Sequence, residues 1–197
     1  MDLVEIRPGL WRWTASHPDW ESDQPHDSPG DWPAAVGCVA YRQPDSFTLI
    51  DPLVREDDWT ALDELVEASA APVHVLVTIR FHERSRAAAL ERYGGSEVVP
   101  TGVEAIEVPR ADETMFWIPE HGALVPGDRI IGFGASDGRL RPCPDSWLRY
   151  LDTGVTGAEL RSELRRLLDL PVDVVLVSHG EPVLENGLAE LRSALAA

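Results

Sequence analysis

The stretch VLVTIRFHERSRAAALERYGG, residues 75–95, joins an apolar run to a polar turn and then to a helical pattern. The mostly apolar run 73–77 is typical of a strand that is covered on both faces. The helix is expected from about Ser85 to Tyr93, where two glycines end it. The turn between them places Arg80, His82, Glu83 and Arg84 within five positions.

Charge limits the partners that the rest of the chain could bind. Its 197 residues include 34 acidic side chains against 17 basic ones, all of them arginine, and the net charge is -17. Binding of nucleic acid or of an anionic membrane relies on a basic surface, so we expect neither partner. A small anionic ligand remains compatible with a local arginine cluster.

The cysteines and the apolar runs predict a cytoplasmic protein. Cys38 and Cys143 are too few and too far apart for a disulfide framework, and Cys38 in AVGCVAY is typical of a small buried hydrophobic residue. The start of the chain lacks the basic and apolar parts of a signal peptide. No apolar run approaches the ~18 residues that span a bilayer.

Outside the opening stretch, strands come first and helices are interspersed later, which predicts sheets with helices packed outside them in one domain, 1–197. Strands are expected at residues 4–7, 10–14, 36–41, 47–50, 104–108, 115–118, 123–125, 129–133 and 172–177. Helices are expected at 57–69, 145–151, 157–168 and 182–196.

Residues 15–33 predict a long surface loop, because they are rich in proline, aspartate and serine and show no periodicity. The loop contains two histidines and four aspartates that a metal loop would also have: His17, Asp19, Asp23, His26, Asp27 and Asp31. Its prolines favour a solvated loop over the mouth of a site instead. Trp11, Trp13, Trp20 and Trp32 suit either an apolar wall or simple packing.

Four strand ends carry short polar motifs: LIDP at Asp51, VLVT at Thr78, LVPGD at Asp128 and VLVSHG at His179. Their order and spacing resemble the metallo-β-lactamase superfamily, from about Gly37 to the end of the chain. The resemblance implies a four-layer αββα sandwich with a binuclear metal site, often zinc, along one edge of two packed sheets. Asp51 is interpreted as a structural residue that holds the loop after its strand.

The signature of that superfamily, His-x-His-x-Asp-His after the threonine, is largely replaced here. Ile79 and Phe81 stand at the first two histidine positions, Glu83 at the aspartate and Arg84 at the last histidine, while His82 falls on a spacer. No histidine lies near residues 108–110, where another ligand is expected. Neither an apolar side chain nor an arginine can donate electrons to zinc. Only Asp128 and His179 match ligand positions, and Glu83 is a carboxylate substitute.

These departures leave two functions open, with His82, Glu83, Arg84, Asp128 and His179 as the candidate site. The first is a relative of these hydrolases that has lost most of the metal site, needs no cofactor, and binds a small molecule or is non-catalytic. The alternative is a hydrolase of an ester, thioester or lactam bond that uses one zinc, iron or manganese ion. Its ligands would be His82, Asp128 and His179, with Glu83 as an optional fourth.

A third hypothesis is hydrolysis without metal, with His82 or His179 as general base and Ser85 or Ser178 as nucleophile. The sequence carries no indication of the oligomeric state.

Arg84 also leads to a structural prediction. A guanidinium could occupy the former second metal position and pair with Asp128, with Glu83 beside it. The opposing interpretation is that Glu83 and Ser85 favour a helix N-terminus and that both arginines of the turn point to solvent.

Overall fold

The computed structural model describes residues 1–133 and 138–196. Its first sheet has five strands in the order β1-β2-β3-β4-β5. They are β1 Val4–Arg7, β2 Leu10–Ser16, β3 Ala35–Arg42, β4 Phe47–Ile50 and β5 Val73–Leu76. Neighbouring strands are antiparallel except β4 and β5, which are parallel and therefore end at the same edge.

A second sheet and a two-stranded ribbon follow. The strands are β6 Glu104–Val108, β7 Glu113–Ile118, β8 Ala123–Val125, β9 Ile130–Phe133, β10 Arg139–Pro142 and β11 Val174–Val175. The second sheet has the order β11-β8-β7-β6, with β11 parallel to β8, and β9 pairs with β10 in the ribbon.

Four α-helices flank the sheets: α1 Trp59–Ser69, α2 Arg86–Tyr93, α3 Gly157–Leu164 and α4 Gly187–Leu195. α2 ends at Gly94, whose left-handed backbone (φ 61°) lets the N–H of Gly95 donate to the carbonyl of Leu90 (3.1 Å). α3 begins with a capping box, in which Thr156 and Glu159 each bond the backbone N–H of the other.

Three hydrophobic clusters alternate with these elements and define four layers. One joins α1 and α2 to the first sheet, one lies between the sheets, and one joins the second sheet to α3 and α4. Alternation along β3 produces this arrangement: Cys38 and Ala40 face the helices, while Val39 and Tyr41 face the second sheet. The αββα sandwich expected from the sequence is confirmed.

Most of the expected elements are found, three of them differ in extent or type, and one strand was not expected. The expected strand 172–177 is regular only at Val174–Val175, although its side chains are buried. The expected helix 145–151 is a 3-10 helix, Asp145–Tyr150, and the last helix starts at Gly187 rather than at 182. Strand β10 was not predicted, because Arg139–Pro142 has too little apolar patterning. Within the described residues, no helix is long and apolar enough to cross a membrane.

Candidate metal centre

The four strand-end motifs meet at one edge of the sandwich. Asp51 follows β4 and accepts hydrogen bonds from Thr78 N (2.8 Å) and Thr78 Oγ1 (2.6 Å), which follow β5. Asp128 and His179 come from the second sheet, and their side chains lie 3.2 Å apart (Oδ1 to Nε2). The expectation that these motifs converge is therefore confirmed.

His82 links the two halves of this edge, although the sequence placed it on a spacer. Its Nδ1 lies 2.8 Å from Asp51 Oδ2, and its Nε2 lies 3.0 Å from Asp128 Oδ1. The 3-10 helix Arg80–His82 turns the ring inward, so that only 3% of the residue is exposed. The turn is completed by Arg84 in the left-handed region (φ 34°), which is unusual for a residue with a side chain.

Three potential ligand atoms converge here. One atom from each of His82, Asp128 and His179 lies within 4.8 Å of the other two, and all three residues are buried. Asp128 Oδ1 is close to both rings, yet neither contact has the geometry of a hydrogen bond, so this buried oxygen lacks a partner among the described residues. Convergent lone pairs without hydrogen bonds between them are what a shared cation requires.

The charges of this cluster are set by burial and by the neighbouring carboxylates. Burial alone would lower the pKa of His82, but Asp128 and Asp51 outweigh it and raise the pKa to about 9. Burial would raise the pKa of Asp128, but His82 and His179 hold it well below its usual range. Burial lowers the pKa of His179, and Asp128 offsets only part of that effect.

Glu113 fixes the loop that carries Asp128, and sequence reasoning missed it. Its carboxylate accepts the backbone N–H groups of Gly127 (3.1 Å), Asp128 (2.7 Å) and Arg129 (2.9 Å). Burial raises the pKa of Glu113 to about 7, against the opposing effect of Arg129. A carboxylate fifteen residues before Asp128 gives no sequence signal of this contact, because the two residues come together only in the folded sheet.

The prediction that Arg84 pairs with Asp128 is wrong. Arg84 does turn inward, but it donates to the carbonyls of Gly37 (3.2 Å) and Asp51 (3.1 Å) and to Ser178 Oγ (2.8 Å). The guanidinium is thus bonded to two main-chain carbonyls and a hydroxyl, while Asp128 lies between the two histidine rings. Glu83 is exposed and lies outside the cluster, so its roles as carboxylate substitute and as neighbour of Arg84 are not found.

The two serines do not support the metal-free hydrolysis hypothesis. Ser178 Oγ accepts from Arg84, and Ser85 Oγ accepts from the backbone N–H of Val54 (3.0 Å). Within the described residues, neither hydroxyl bonds a histidine that could activate it as a nucleophile.

A cavity of about 270 Å³ opens onto the cluster. Its walls are largely aromatic, and Trp32 and Trp147 pack edge-on against the His179 ring at 5.6 and 5.3 Å. The remaining lining residues include His17, Asp19 and Pro29 from the loop, together with Phe81, Arg84, Arg129 and Tyr150. The loop 15–33 therefore lies over the site, as expected, whereas the contributions of Trp147 and Tyr150 were not foreseen.

The loop aspartates and histidines form a second, weaker group. His26, Asp27 and Asp31 lie near one another, with His26 Nδ1 3.0 Å from Asp31 Oδ2. His26 and Asp27 are exposed to solvent, so this group has the character of a solvated turn. The metal interpretation of the loop has no further support.

Comparison with solved structures identifies the architecture. A metallo-β-lactamase from Erythrobacter litoralis, with β-mercaptoethanol in its active site, superposes with a TM-score of 0.66 at 15% identity and covers 98% of this chain and 95% of its own. The DIM-1 metallo-β-lactamase gives 0.62 at 10% identity and covers 99% and 96%. The chain has the metallo-β-lactamase fold. FIM-1 from Pseudomonas aeruginosa, solved in a mono-zinc form, gives 0.57 at 13% identity and covers 99% and 94%. No protein-family model and no curated protein matches the sequence.

Within this metallo-β-lactamase fold, the donor set fits one metal ion. Two imidazoles and one carboxylate are a common three-ligand set for zinc or iron. Asp51 bonds the far nitrogen of His82, as carboxylates do behind metal-binding histidines. Ile79 is buried (2% exposed) and Phe81 is half exposed, and neither side chain can act as a ligand for a second ion.

Proposed function

We propose that the protein is a hydrolase that works with a single metal ion held by His82, Asp128 and His179. The observation that supports this proposal is the convergence of three buried donor atoms within 4.8 Å, with Asp51 bonded behind His82. The alternative function considered from the sequence is thus favoured over the metal-free one.

Each residue of the cluster has a distinct task. Asp51 accepts from His82 Nδ1 and so leaves Nε2, on the side of Asp128, as the nitrogen that would bind the ion. Glu113 holds the backbone on both sides of Asp128. Trp32 and Trp147 fix the orientation of the His179 ring and exclude water from one side of it.

A divalent ion such as zinc, when bound, supplies a Lewis acid that polarises a carbonyl and makes water a nucleophile at neutral pH. An ester, thioester or lactam is the class of bond that such chemistry hydrolyses. The aromatic walls of the cavity would bind the apolar part of the substrate and limit access of bulk water.

A second candidate is binding of a small molecule without catalysis. The replacement of two expected ligands by Ile79 and Phe81 favours this candidate. The pairing of His82 with Asp51 and Asp128 also favours it, because a protonated His82 is balanced by these carboxylates without a metal ion. Metal content distinguishes the two candidates.

The test begins with protein purified without chelator and analysed for zinc, iron and manganese. EDTA-treated protein is then titrated with zinc, and we expect one ion per chain. The variants His82→Ala, Asp128→Ala and His179→Ala should each lose the bound ion. His17→Ala is the matched control, because His17 lines the same cavity outside the cluster.

Stoichiometric metal that survives all three substitutions would place the ion elsewhere. Absence of metal binding in the folded wild-type protein would favour the second candidate. Activity toward ester, thioester and lactam panels is measured on the zinc-loaded protein and on the EDTA-treated protein.

A further inference from the structure

His17 is the first residue after β2, and three contacts hold it in place. Its backbone N–H donates to the carbonyl of Ala34 (2.8 Å), which continues the ladder between β2 and β3 by one residue. Its ring packs edge-on against Trp32, with 5.2 Å between the two ring centroids. Its Nδ1 accepts the backbone N–H of Asp19 (3.2 Å). The orientation of the imidazole is therefore set at the base of the loop 15–33.

The bond to Nδ1 determines which nitrogen of the His17 ring carries the proton. A nitrogen that accepts from an N–H group must offer a lone pair, so the neutral ring carries its proton on Nε2. Protonation of Nδ1 would set two N–H groups against each other at Asp19. Burial, followed by the charge of Arg84, also lowers the pKa of His17. Both effects favour a neutral imidazole at pH 7, with Nε2–H as its donor.

The Nε2–H group of His17 is available to a ligand of the cavity. Among the described residues, none accepts a hydrogen bond from it. His17 lines the same cavity as the three residues of the cluster, His82, Asp128 and His179. Trp32 connects the two parts of this wall, because its ring packs edge-on against both His17 and His179 (5.6 Å). His17 thus brings an unused donor to the cavity that opens onto the cluster.

A neutral N–H donor has a specific use in the hydrolysis of a carbonyl compound. As a nucleophile adds to the carbonyl carbon, the π electrons of the C=O bond move to its oxygen, which becomes negatively charged. A positioned donor bonds this oxygen more strongly in the transition state than in the starting carbonyl, and so lowers the barrier. A neutral imidazole can take this position beside Arg84 and Arg129, which also line the cavity, without repulsion between like charges.

We propose that His17 is a catalytic residue whose Nε2–H bonds the carbonyl oxygen of the substrate and stabilises the negative charge that develops there. The imidazole keeps its proton throughout and acts only as a hydrogen-bond donor. The cluster and this donor would then act on the two ends of the same carbonyl group from different elements of the fold. The inference rests on the proposed hydrolase function, whereas the position of the proton on His17 depends on neither metal nor activity.

The first measurement locates the proton on His17. Heteronuclear NMR of the ring nitrogens distinguishes the two neutral forms of a histidine, and it is recorded on EDTA-treated protein at pH 7. The signals of His17 are assigned by their loss in His17→Gln. We expect the neutral form with the proton on Nε2, because Nδ1 accepts from Asp19. A proton on Nδ1 overturns the proposal.

The second measurement separates the donor from the packing of the ring. His17→Phe keeps an aromatic ring beside Trp32 without a donor, whereas His17→Gln keeps an N–H group near the position of Nε2. His26→Phe is the matched control, because it makes the same replacement at an exposed histidine of the same loop. Each zinc-loaded protein is assayed with phenyl acetate, S-phenyl thioacetate and a chromogenic β-lactam.

The comparison uses the probe that the wild type cleaves fastest. We expect kcat of His17→Phe to fall about 100-fold with little change in KM, because the lost bond forms mainly in the transition state. His17→Gln should lose less, and His26→Phe should stay within about twofold of the wild type. All four proteins should bind one zinc ion per chain, since His17 lies outside the cluster.

The outcomes distinguish failure of this inference from failure of the hydrolase function. An unchanged kcat in zinc-loaded His17→Phe overturns the role of His17 and leaves the hydrolase function standing. Equal losses in His17→Phe and His17→Gln, or loss of zinc from His17→Phe, mean a structural role and also overturn it. A zinc-loaded wild type that cleaves none of the probes refutes the hydrolase function, and the catalytic role of His17 with it. If the His17 variants do not fold, the position of the proton in the wild type decides.

Discussion

The substitution Asp51→Asn tests how far the site depends on one buried carboxylate. Asp51 is 2% exposed and accepts three hydrogen bonds, from Thr78 N, Thr78 Oγ1 and His82 Nδ1. An asparagine has the same shape, but one of its two terminal atoms is an N–H₂ group that cannot accept. Whichever way the amide is oriented, at least one donor then faces another donor.

The expected loss of stability follows from these contacts. If the amide oxygen replaces Oδ2, only the bond from Thr78 N is lost; in the other orientation, both bonds to Oδ2 are lost. A hydrogen bond to a charged group contributes about 1.5–3 kcal/mol. The free energy of unfolding should therefore fall by about 2 kcal/mol in the first orientation and about 4 kcal/mol in the second.

Zinc affinity should fall as well, because the carboxylate orients the His82 ring. Loss of such a partner behind a ligand typically weakens metal binding about 10- to 100-fold. Urea unfolding measures the first effect, and zinc titration of the folded variant measures the second. Asp45→Asn, in the exposed turn between β3 and β4, is the control and should change stability by less than about 0.5 kcal/mol. An Asp51→Asn protein that matches this control in both assays would refute the role assigned to Asp51.

Three further predictions concern other parts of the molecule. The pKa of Glu159 is lowered to about 2, mainly by the backbone N–H of Thr156 in the capping box. The ionised carboxylate therefore stabilises the fold above about pH 4.5, and this stabilisation is lost as the pH falls toward 2. The difference in urea stability between wild type and Glu159→Gln should disappear over that pH range. Burial raises the pKa of Cys38 and of Cys143 to about 11, so both thiols should resist a disulfide reagent at pH 8 until urea unfolds the chain, and rapid labelling of native protein would contradict this. A Cβ atom at Gly132 would lie 2.3 Å from the carbonyl oxygen of Glu181, so Gly132→Ala should lose more than about 2 kcal/mol of stability. A Cβ atom at Gly94 would meet no atom within 4 Å, so Gly94→Ala should lose only about 1 kcal/mol, because of its left-handed backbone.

The layered architecture could be predicted because its determinants are local. Alternation along residues 36–41 assigns each side chain of β3 to one face, and the two clusters that flank this strand follow it. The strand-end motifs at Asp51, Asp128 and His179 could also be recognised from the sequence, because each contains a polar residue close after an apolar run. Regular pairing was harder to predict: the buried run 172–177 packs like a strand but bonds like one only at Val174–Val175.

The composition of the site was predicted in part, and its connections were not. Alignment by position put His82 on a spacer, because alignment assumes that the turn after Thr78 has its usual shape. The 3-10 turn and the left-handed Arg84 change that shape and bring His82 to the cluster. Arg84 turned inward as predicted, but its partner depended on which acceptors the strand ends offered. Contacts such as Glu113 with Asp128 join residues whose proximity exists only after the sheet has formed.

The segment Ser178–His179, which follows β11, is hydrogen-bonded to the first sheet and to the ribbon. Gly37 N donates to Ser178 O (2.7 Å), Val36 forms a bridge with His179, and Gly132 N donates to His179 O (2.8 Å). Amides of this kind are freed only when a large unit of the structure opens, so those of Gly37 and Gly132 should be among the slowest to exchange with solvent deuterium. The ligand positions would then be ordered before any ion arrives. Metal binding would cost little chain entropy and would rigidify few amides. The end of the sandwich that holds the candidate site would also be the last to open.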